Sequence, residues 1–76
     1  MLSELDNVVL AVDLPEKGLR RGDIGTVVLV HCSGSGYEVE FATLDGETIA
    51  VVSLQSSQVR PISPREIAHV RSLEQV

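Results

Sequence analysis

The stretch YEVEFATLDGETIAVVSL, residues 37–54, decides the fold. Its first five residues alternate between apolar and acidic side chains, so in a strand the three apolar ones face one side and the two glutamates face the other. Asp45-Gly46 lies between two apolar runs and is a strong signal for a turn between antiparallel strands. The stretch therefore predicts a β-hairpin whose strands are Tyr37–Phe41 and Thr48–Leu54.

Three further apolar runs flank this hairpin and predict strands at Val8–Val12, Ile24–Cys32 and Val59–Pro61. Gly25 is expected at a bend or bulge of the second strand, and Pro61 indicates a sheet edge or a strand end. The segment between the first two strands is rich in turn residues and too long for a tight hairpin. The whole pattern predicts a mainly β protein, a five-stranded antiparallel SH3-like barrel formed by residues 1–62.

The predicted core follows from the apolar positions of these strands. Its members are Val27, Leu29, Val39, Phe41, Ile49 and Val51. The first strand adds either Val9 and Ala11 or Val8, Leu10 and Val12. Its apolar run is continuous, so the sequence leaves the phase of that strand open, as it does for the second strand.

The C-terminal residues 63–76 have a different pattern and predict a short helix within the same domain. Ser63-Pro64-Arg65-Glu66 combines an N-cap serine, a proline at the first helical position and a glutamate three residues after the cap. One helical face then carries Ile67, Val70 and Leu73. A helix this short is marginal in water, so we expect it to dock on the barrel, on a partner protein or on a second copy in a homodimer.

Composition predicts a single small domain in the cytoplasm. The 76 residues are 43% hydrophobic and carry a net charge of −5. Cys32 is the single cysteine, which excludes an internal disulfide. Acids occupy the N-terminus where a signal peptide needs bases, and the apolar run Val8–Val12 is far shorter than the ~20 residues that cross a bilayer. We expect no membrane segment.

The acids cluster, and the cluster predicts an interaction surface for a basic protein. Residues 38–47 contain four acids and no base, namely Glu38, Glu40, Asp45 and Glu47. A field of this sign repels phosphate backbones and favours basic partners. The cluster and the stripe of Ile67, Val70 and Leu73 are the two candidate interaction surfaces.

The sequence contains no group of side chains spaced for catalysis or for metal binding. Glu38 and Glu40 share one strand face about 7 Å apart, but no nucleophile is placed to complete a site, and the solvent face of a strand accounts for both. His31 and Cys32 are neighbours and point to opposite faces, whereas a structural zinc ion takes about four N/S ligands. We expect no enzyme, no cofactor and no metal, and a buried or half-buried Cys32.

The first loop offers an alternative function, because three bases fall within five residues: Lys17, Arg20 and Arg21. Loops of SH3-like domains often bind ligands at this position, and the bases could contact phosphate. The neighbouring acids Asp13, Glu16 and Asp23 oppose them, and the chain has few aromatic side chains for base stacking. Because affinity for nucleic acid needs uncompensated bases, we expect no appreciable binding at physiological salt.

Two resemblances bear on function. Residues 21–28, RGDIGTVV, resemble the KOW motif of ribosomal and transcription-elongation proteins, which implies a nucleic-acid or ribosome-associated module. A longer resemblance, carried by DxVVL at 6–10, DLP at 13–15, LxxGDxGTVV at 19–28, YEVEF at 37–41 and DGET at 45–48, is to the bacterial "domain of unknown function 4926" family.

That family implies a fold and no established activity. Such proteins are often encoded beside a second small protein, which suits the acidic member of a two-component complex such as a toxin and its neutraliser. The residues thus favour a non-catalytic protein-interaction module with a basic protein partner or a second copy of the chain, and the resemblance implies that a protein partner is encoded by a neighbouring gene.

Overall fold

The computed structural model describes residues 2–32 and 34–73, and one antiparallel sheet dominates it. Its five strands are β1 (Asn7–Leu10), β2 (Ile24–Val30), β3 (Gly36–Ala42), β4 (Thr48–Gln55) and β5 (Val59–Pro61). They lie in the order β4-β3-β2-β1-β5. The prediction of five antiparallel strands is confirmed, and the bounds of β5 are those predicted.

The predicted barrel is corrected, because the sheet is open. β4 and β5 are its two edges, and β5 pairs with β1 through three residues. A 3-10 turn at Ser56–Gln58 carries the chain from one edge to the other. β5 ends at Pro61, which has no N–H to donate, so this edge is too short and too poor in donors to close onto β4.

The core lies on one face of the sheet, as the alternation in β3 predicts. Val39 and Phe41 are buried there, while Glu38 and Glu40 lie on the opposite, outer face. The core cluster consists of Val8, Leu10, Leu19, Val27, Tyr37, Val39, Phe41, Val52, Leu54 and Val59. The phase left open in β1 is settled, since Val8 and Leu10 are fully buried.

Leu29 was wrongly predicted as a core residue, and a β-bulge is the reason. Val27 pairs with Val39, but Leu29 pairs with Glu38, so the register shifts by one residue at Val28. A bulge inserts one extra residue and reverses the alternation beyond it. Leu29 consequently lies on the outer face and is 47% exposed.

The bulge of β2 lies at Val28 and not at Gly25, for which the sequence suggested a bend or a bulge. Gly25 lies within β2 beside the core, where a β-carbon would come within 2.6 Å of Val39 Cγ1 and 2.9 Å of the Glu40 carbonyl oxygen. The glycine is therefore required by close packing between β2 and β3.

The core assignment in β4 is also corrected. Val51 is 55% exposed and Ile49 is half-buried, whereas Val52 and Leu54 are buried. Phe41 pairs with Ala50 and Ala42 with Thr48, so Ile49 is an extra residue between two pairs. Beyond the extra residue, this register directs Ala50, Val52 and Leu54 toward the core.

The turn between β3 and β4 explains that register. Thr43 N–H donates to Glu47 O at 2.8 Å, Gly46 N–H donates to Thr43 O at 3.0 Å, and Gly46 has φ 96°. A turn followed by a left-handed glycine is a common three-residue hairpin loop. The predicted Asp45-Gly46 turn is present, and the bulge at Ile49 accommodates its odd length.

The predicted C-terminal helix is not formed by residues 63–73, and residues 74–76 lie outside the described part of the chain. Its cap is nevertheless present around a single turn, with Ser63 N–H donating to Glu66 Oε1 at 2.7 Å and Arg65 N–H approaching Ser63 Oγ at 3.4 Å. The two terminal guanidinium nitrogens of Arg60, Nη1 and Nη2, donate to the Glu66 carboxylate at 2.9 and 2.6 Å. A cap without a docked apolar face does not sustain so short a helix.

Candidate functional site: the C-terminal cleft

An open cleft of about 750 Å³, here called the C-terminal cleft, lies between the end of the described chain, the β3–β4 turn and the start of β2. Apolar side chains supply much of its lining: Ile24, Phe41, Leu44, Val70 and Leu73. Asp45, Glu47 and His69 also line it. Phe41 belongs to the core cluster, so the cleft reaches the edge of the core.

Arg71 fixes the C-terminal wall of this cleft. Its Nε donates to Asp23 Oδ1 at 2.8 Å and its Nη2 to Asp23 Oδ2 at 2.7 Å, a bidentate pair. Nη2 also donates to the carbonyl oxygen of Gly18 at 3.0 Å. Residues 48 positions apart in sequence are thereby joined, and the segment lies across the first loop without regular secondary structure.

The pKa of Asp23 is lower than its usual value of 3.8. Partial burial acts to raise this pKa, but the hydrogen bond from Arg71, the N–H of Arg20 and the charges of both arginines together outweigh it. A lowered carboxyl pKa contributes stability above the unfolded-state value and loses it as pH falls through the folded-state value. The attachment is therefore complete at neutral pH and is lost only in acid, below pH 3.8.

Arg71→Ala is expected to release the C-terminal segment and to cost about 1–2 kcal/mol, as for a half-buried, charge-assisted pair. Amide hydrogen exchange across residues 67–73 and a double-mutant cycle with Asp23→Asn measure both effects. Arg65→Ala is the matched control, because Arg65 is exposed and forms no ion pair among residues 2–32 and 34–73. Equal exchange in both variants would show that the ion pair does not hold the segment.

Exposed apolar side chains distinguish the cleft from an ordinary loop surface. Leu44 is 94% exposed, Val70 71%, Ile24 42% and Leu73 41%. Contiguous apolar surface rimmed by polar groups is typical of binding sites. Here the rim is acidic, because Asp45 and Glu47 lie in and beside the same turn as Leu44.

The structure brings together only part of the two predicted surfaces. Asp45 and Glu47 meet Val70 and Leu73 in the cleft. Ile67 is 95% exposed and does not line the cleft, because without a helix the predicted stripe is not one face.

Glu38 and Glu40 lie elsewhere, on the outer face of the sheet. Glu38 Oε2 accepts from Ser53 Oγ at 2.6 Å and contacts His31 Nε2 at 2.8 Å, and Glu40 accepts from the hydroxyl of Thr48. The order Ser–Glu–His places the acid between the other two groups, whereas an activated serine needs the histidine in the middle. This set therefore does not activate Ser53 as a nucleophile.

Glu38 also has the wrong protonation state for a general acid. The Ser53 hydrogen bond has the largest effect and lowers its pKa. Desolvation, the next largest effect, acts to raise the pKa, and the hydrogen bond and charge of His31 lower it further. A catalytic acid requires a pKa raised toward the working pH. Glu38 stays ionised at neutral pH, as a surface carboxylate does.

The basic loop keeps its three cations exposed. Lys17, Arg20 and Arg21 form no ion pair within 4 Å among the residues that the structure describes. Acids nevertheless hold the backbones of the two arginines, since Arg20 N–H donates to Asp23 Oδ2 and Arg21 N–H to Asp13 Oδ1. The loop thus presents bases directly beside carboxylates.

Cys32 is exposed, which corrects the expectation that it is buried or half-buried. Within residues 2–32 and 34–73 no three His, Cys, Asp or Glu side chains are grouped to hold a metal ion. The same residues contain no helix long and apolar enough to span a membrane.

Sequence reasoning missed Arg71 and Leu44. No pattern links Arg71 to Asp23, because a contact across 48 residues depends on the path of the irregular segment. Leu44 did carry a signal, since a large apolar residue directly before an Asp-Gly turn has no core to face.

The comparisons with known proteins agree with the longer of the two resemblances. The family model described as "Domain of unknown function (DUF4926)" matches residues 4–61, about three quarters of the chain. No curated protein and no solved structure matches the chain. The match contains all five strands and the β3–β4 turn, and it ends before the segment that carries Val70, Arg71 and Leu73. The chain belongs to the DUF4926 family, and the C-terminal wall of its cleft lies beyond the part that the family model covers.

Proposed function

We propose that this protein is a non-catalytic interaction module that binds a basic partner protein, with an apolar segment of the partner inserted in the C-terminal cleft. One observation carries the proposal: Leu44, Val70 and Leu73 are exposed around one open cleft whose polar rim is acidic. Burying such side chains against a partner is worth roughly 1.5–3 kcal/mol each when burial is complete.

Charge supports a basic partner. The chain has a net charge of −5, and Asp45 and Glu47 make no ion pair within the described residues. Complementary charge speeds association and excludes wrong partners more than it adds affinity. The acidic member of a two-component complex, with its partner encoded by a neighbouring gene, would have these properties.

The fold supports the same class of function. Strand order β4-β3-β2-β1-β5, a long first loop and a 3-10 turn before β5 favour an SH3-like assignment for this open sheet. Small domains of this architecture commonly act by binding, but the site rather than the fold must carry the argument.

The alternative is a KOW-like nucleic-acid or ribosome-associated module that uses Lys17, Arg20 and Arg21. The absence of ion pairs to these three cations within the described chain favours it. Against it stand the acids beside the loop and the packing role of Gly25, which accounts for a KOW-like glycine without nucleic acid. Binding through this loop would be strongly salt-dependent.

Capture from extracts of the native host tests the proposal. The immobilised protein should enrich a basic protein, identified by mass spectrometry, and Leu44→Asp should abolish the enrichment. Leu5→Asp is the matched control: Leu5 is 79% exposed, does not line the cleft and has φ 73°, which aspartate tolerates. The proposal would be contradicted if the Leu44→Asp variant still enriched the basic protein. It would also be contradicted if nuclease treatment removed the enrichment.

A further inference from the structure

We propose that β4 pairs with β4 of a second copy of this chain, which would join two five-stranded sheets into one continuous antiparallel sheet. The surface is the open edge of β4, Thr48–Gln55, and it is separate from the C-terminal cleft except at Ile49. The proposal is independent of the partner protein argued above.

The backbone of β4 has hydrogen-bonding groups directed away from the sheet. His31 N–H donates to the carbonyl oxygen of Gly36 at 3.0 Å, so the backbone of Gly36 faces β2 and that of Tyr37 faces β4. The pairs Tyr37–Leu54, Val39–Val52 and Phe41–Ala50 accordingly carry the ladder hydrogen bonds. By the same alternation, the N–H and C=O groups of Val51 and Ser53 point outward, and no hydrogen bond from another described residue reaches them.

The side chains of β4 lack the features that protect an edge strand. Its eight residues, TIAVVSLQ, contain no charge and no proline. Natural edge strands are usually short, charged or interrupted by proline, since an unprotected one pairs with other chains. The opposite edge has that protection, because β5 is three residues long and contains Arg60 and Pro61.

The strand is complementary to itself in one register. With the twofold axis beside Val52, the opposed pairs are Val52–Val52, Val51–Ser53 and Ala50–Leu54. Opposed residues then share a face of the sheet, and on the core face each small Ala50 meets a large Leu54 of the other copy. The backbone of Val51 in each copy then exchanges two hydrogen bonds with the backbone of Ser53 in the other copy. An axis beside Val51 would instead place Ser53 against Ile49, the extra residue of the bulge.

Charge does not oppose this pairing, although the chain is acidic. Glu38 and Glu40 lie one strand inward, and hydroxyls of β4 on their own chain hold their carboxylates. Across the axis, the β3 backbones of the two copies lie three strand spacings apart, about 14 Å. The β4 side chains between them are uncharged. A neutral, self-complementary strand therefore fits a second copy better than it fits a charged partner segment.

Ser53→Pro and Ser53→Ala form a matched pair for sedimentation equilibrium. Both remove the hydroxyl that binds Glu38, but only proline removes the outward N–H, which makes no bond to β3. With rising concentration, the wild type and Ser53→Ala should approach twice the chain mass of 8.2 kDa, and Ser53→Pro should stay at 8.2 kDa. A wild type that stays monomeric, a mass above that of a dimer, or a dimer of folded Ser53→Pro overturns the proposal.

Cysteine cross-linking decides the register, and it decides the proposal if Ser53→Pro fails to fold. In a Cys32→Ser background, Val51→Cys chains mixed with Ser53→Cys chains should give mainly the mixed disulfide. Directly opposed residues of a hydrogen-bonded pair are about 5.5 Å apart at Cα, within the range that a disulfide spans. Predominance of either homodimeric disulfide, or no cross-link, contradicts the pairing.

Discussion

Phe41→Ala is expected to lower the free energy of unfolding by about 3–5 kcal/mol, the cost of removing a large buried side chain. Phe41 is 2% exposed and lies both in the core cluster and at the wall of the cleft. At about 0.05–0.15 kcal/mol per residue, a domain of this length has only about 4–11 kcal/mol in total. The substitution should therefore leave the protein barely folded or unfolded.

Urea unfolding followed by circular dichroism measures this loss. Leu44→Ala is the control, because Leu44 borders the same cleft but is 94% exposed; it should change stability by no more than about 0.5 kcal/mol. A loss below about 1 kcal/mol in Phe41→Ala, well under the range for buried aromatic side chains, would contradict the described core.

Gly25→Ala is expected to cost at least about 2–3 kcal/mol, the upper range for overpacking a core. The new β-carbon would lie 2.6 Å from Val39 Cγ1, 2.8 Å from Phe41 Cε1 and 2.9 Å from the carbonyl oxygen of Glu40. The side chains can shift, but the backbone oxygen is held in the β2–β3 ladder, where Glu40 pairs with Thr26. The strands must separate locally to admit the methyl group.

A double-mutant cycle with Val39→Ala tests whether the clash of the new methyl group causes the loss of stability in Gly25→Ala. Residues in contact are not additive, so Val39→Ala should cost less in the Gly25→Ala background than in the wild type, because it removes one of the clashes. Gly18→Ala is the comparison: no atom lies within 4 Å of its β-carbon position, and only its φ of 71° opposes a side chain. Strictly additive losses at positions 25 and 39 would contradict the packing explanation.

The sequence predicted β3 well because apolar and acidic residues alternate strictly in this strand, and the apolar face had to be the core face. It predicted β4 less well because, in an unbroken apolar run, either set of alternate residues could face the core. A two-residue Asp45-Gly46 loop would pair Phe41 with Ala50 and direct Val52 and Leu54 inward. The observed three-residue loop reaches the same pairing because Ile49 is an extra residue. Turn geometry was therefore a better guide to β4 than apolarity.

The bulge at Val28 had no comparable signal. It reverses the face of Leu29 through a single extra residue in a run of valines and leucines, and nothing in that run marks its position. The C-terminal segment shows a different limit. Its cap forms as the local sequence predicts, but a helix needs a docked face, and here two ion pairs, Arg60–Glu66 and Arg71–Asp23, hold the segment.

The candidate site combines features that the sequence showed separately. Asp45 and Glu47 were identified from charge, and Val70 and Leu73 from spacing. Their meeting in one cleft depends on Arg71, which brings the C-terminal segment to the first loop. Local patterns thus identified several cleft residues, while the contact that assembles them is long-range.

Site-specific photo-crosslinking in the native host tests the central claim most directly. A photoreactive residue in place of Leu44 lies in the cleft, and one in place of Lys17 lies in the basic loop. We expect a covalent adduct with one basic protein from position 44 and none from position 17. An adduct with nucleic acid from position 17, or no protein adduct from position 44, would contradict the assignment of the cleft as a protein-binding site.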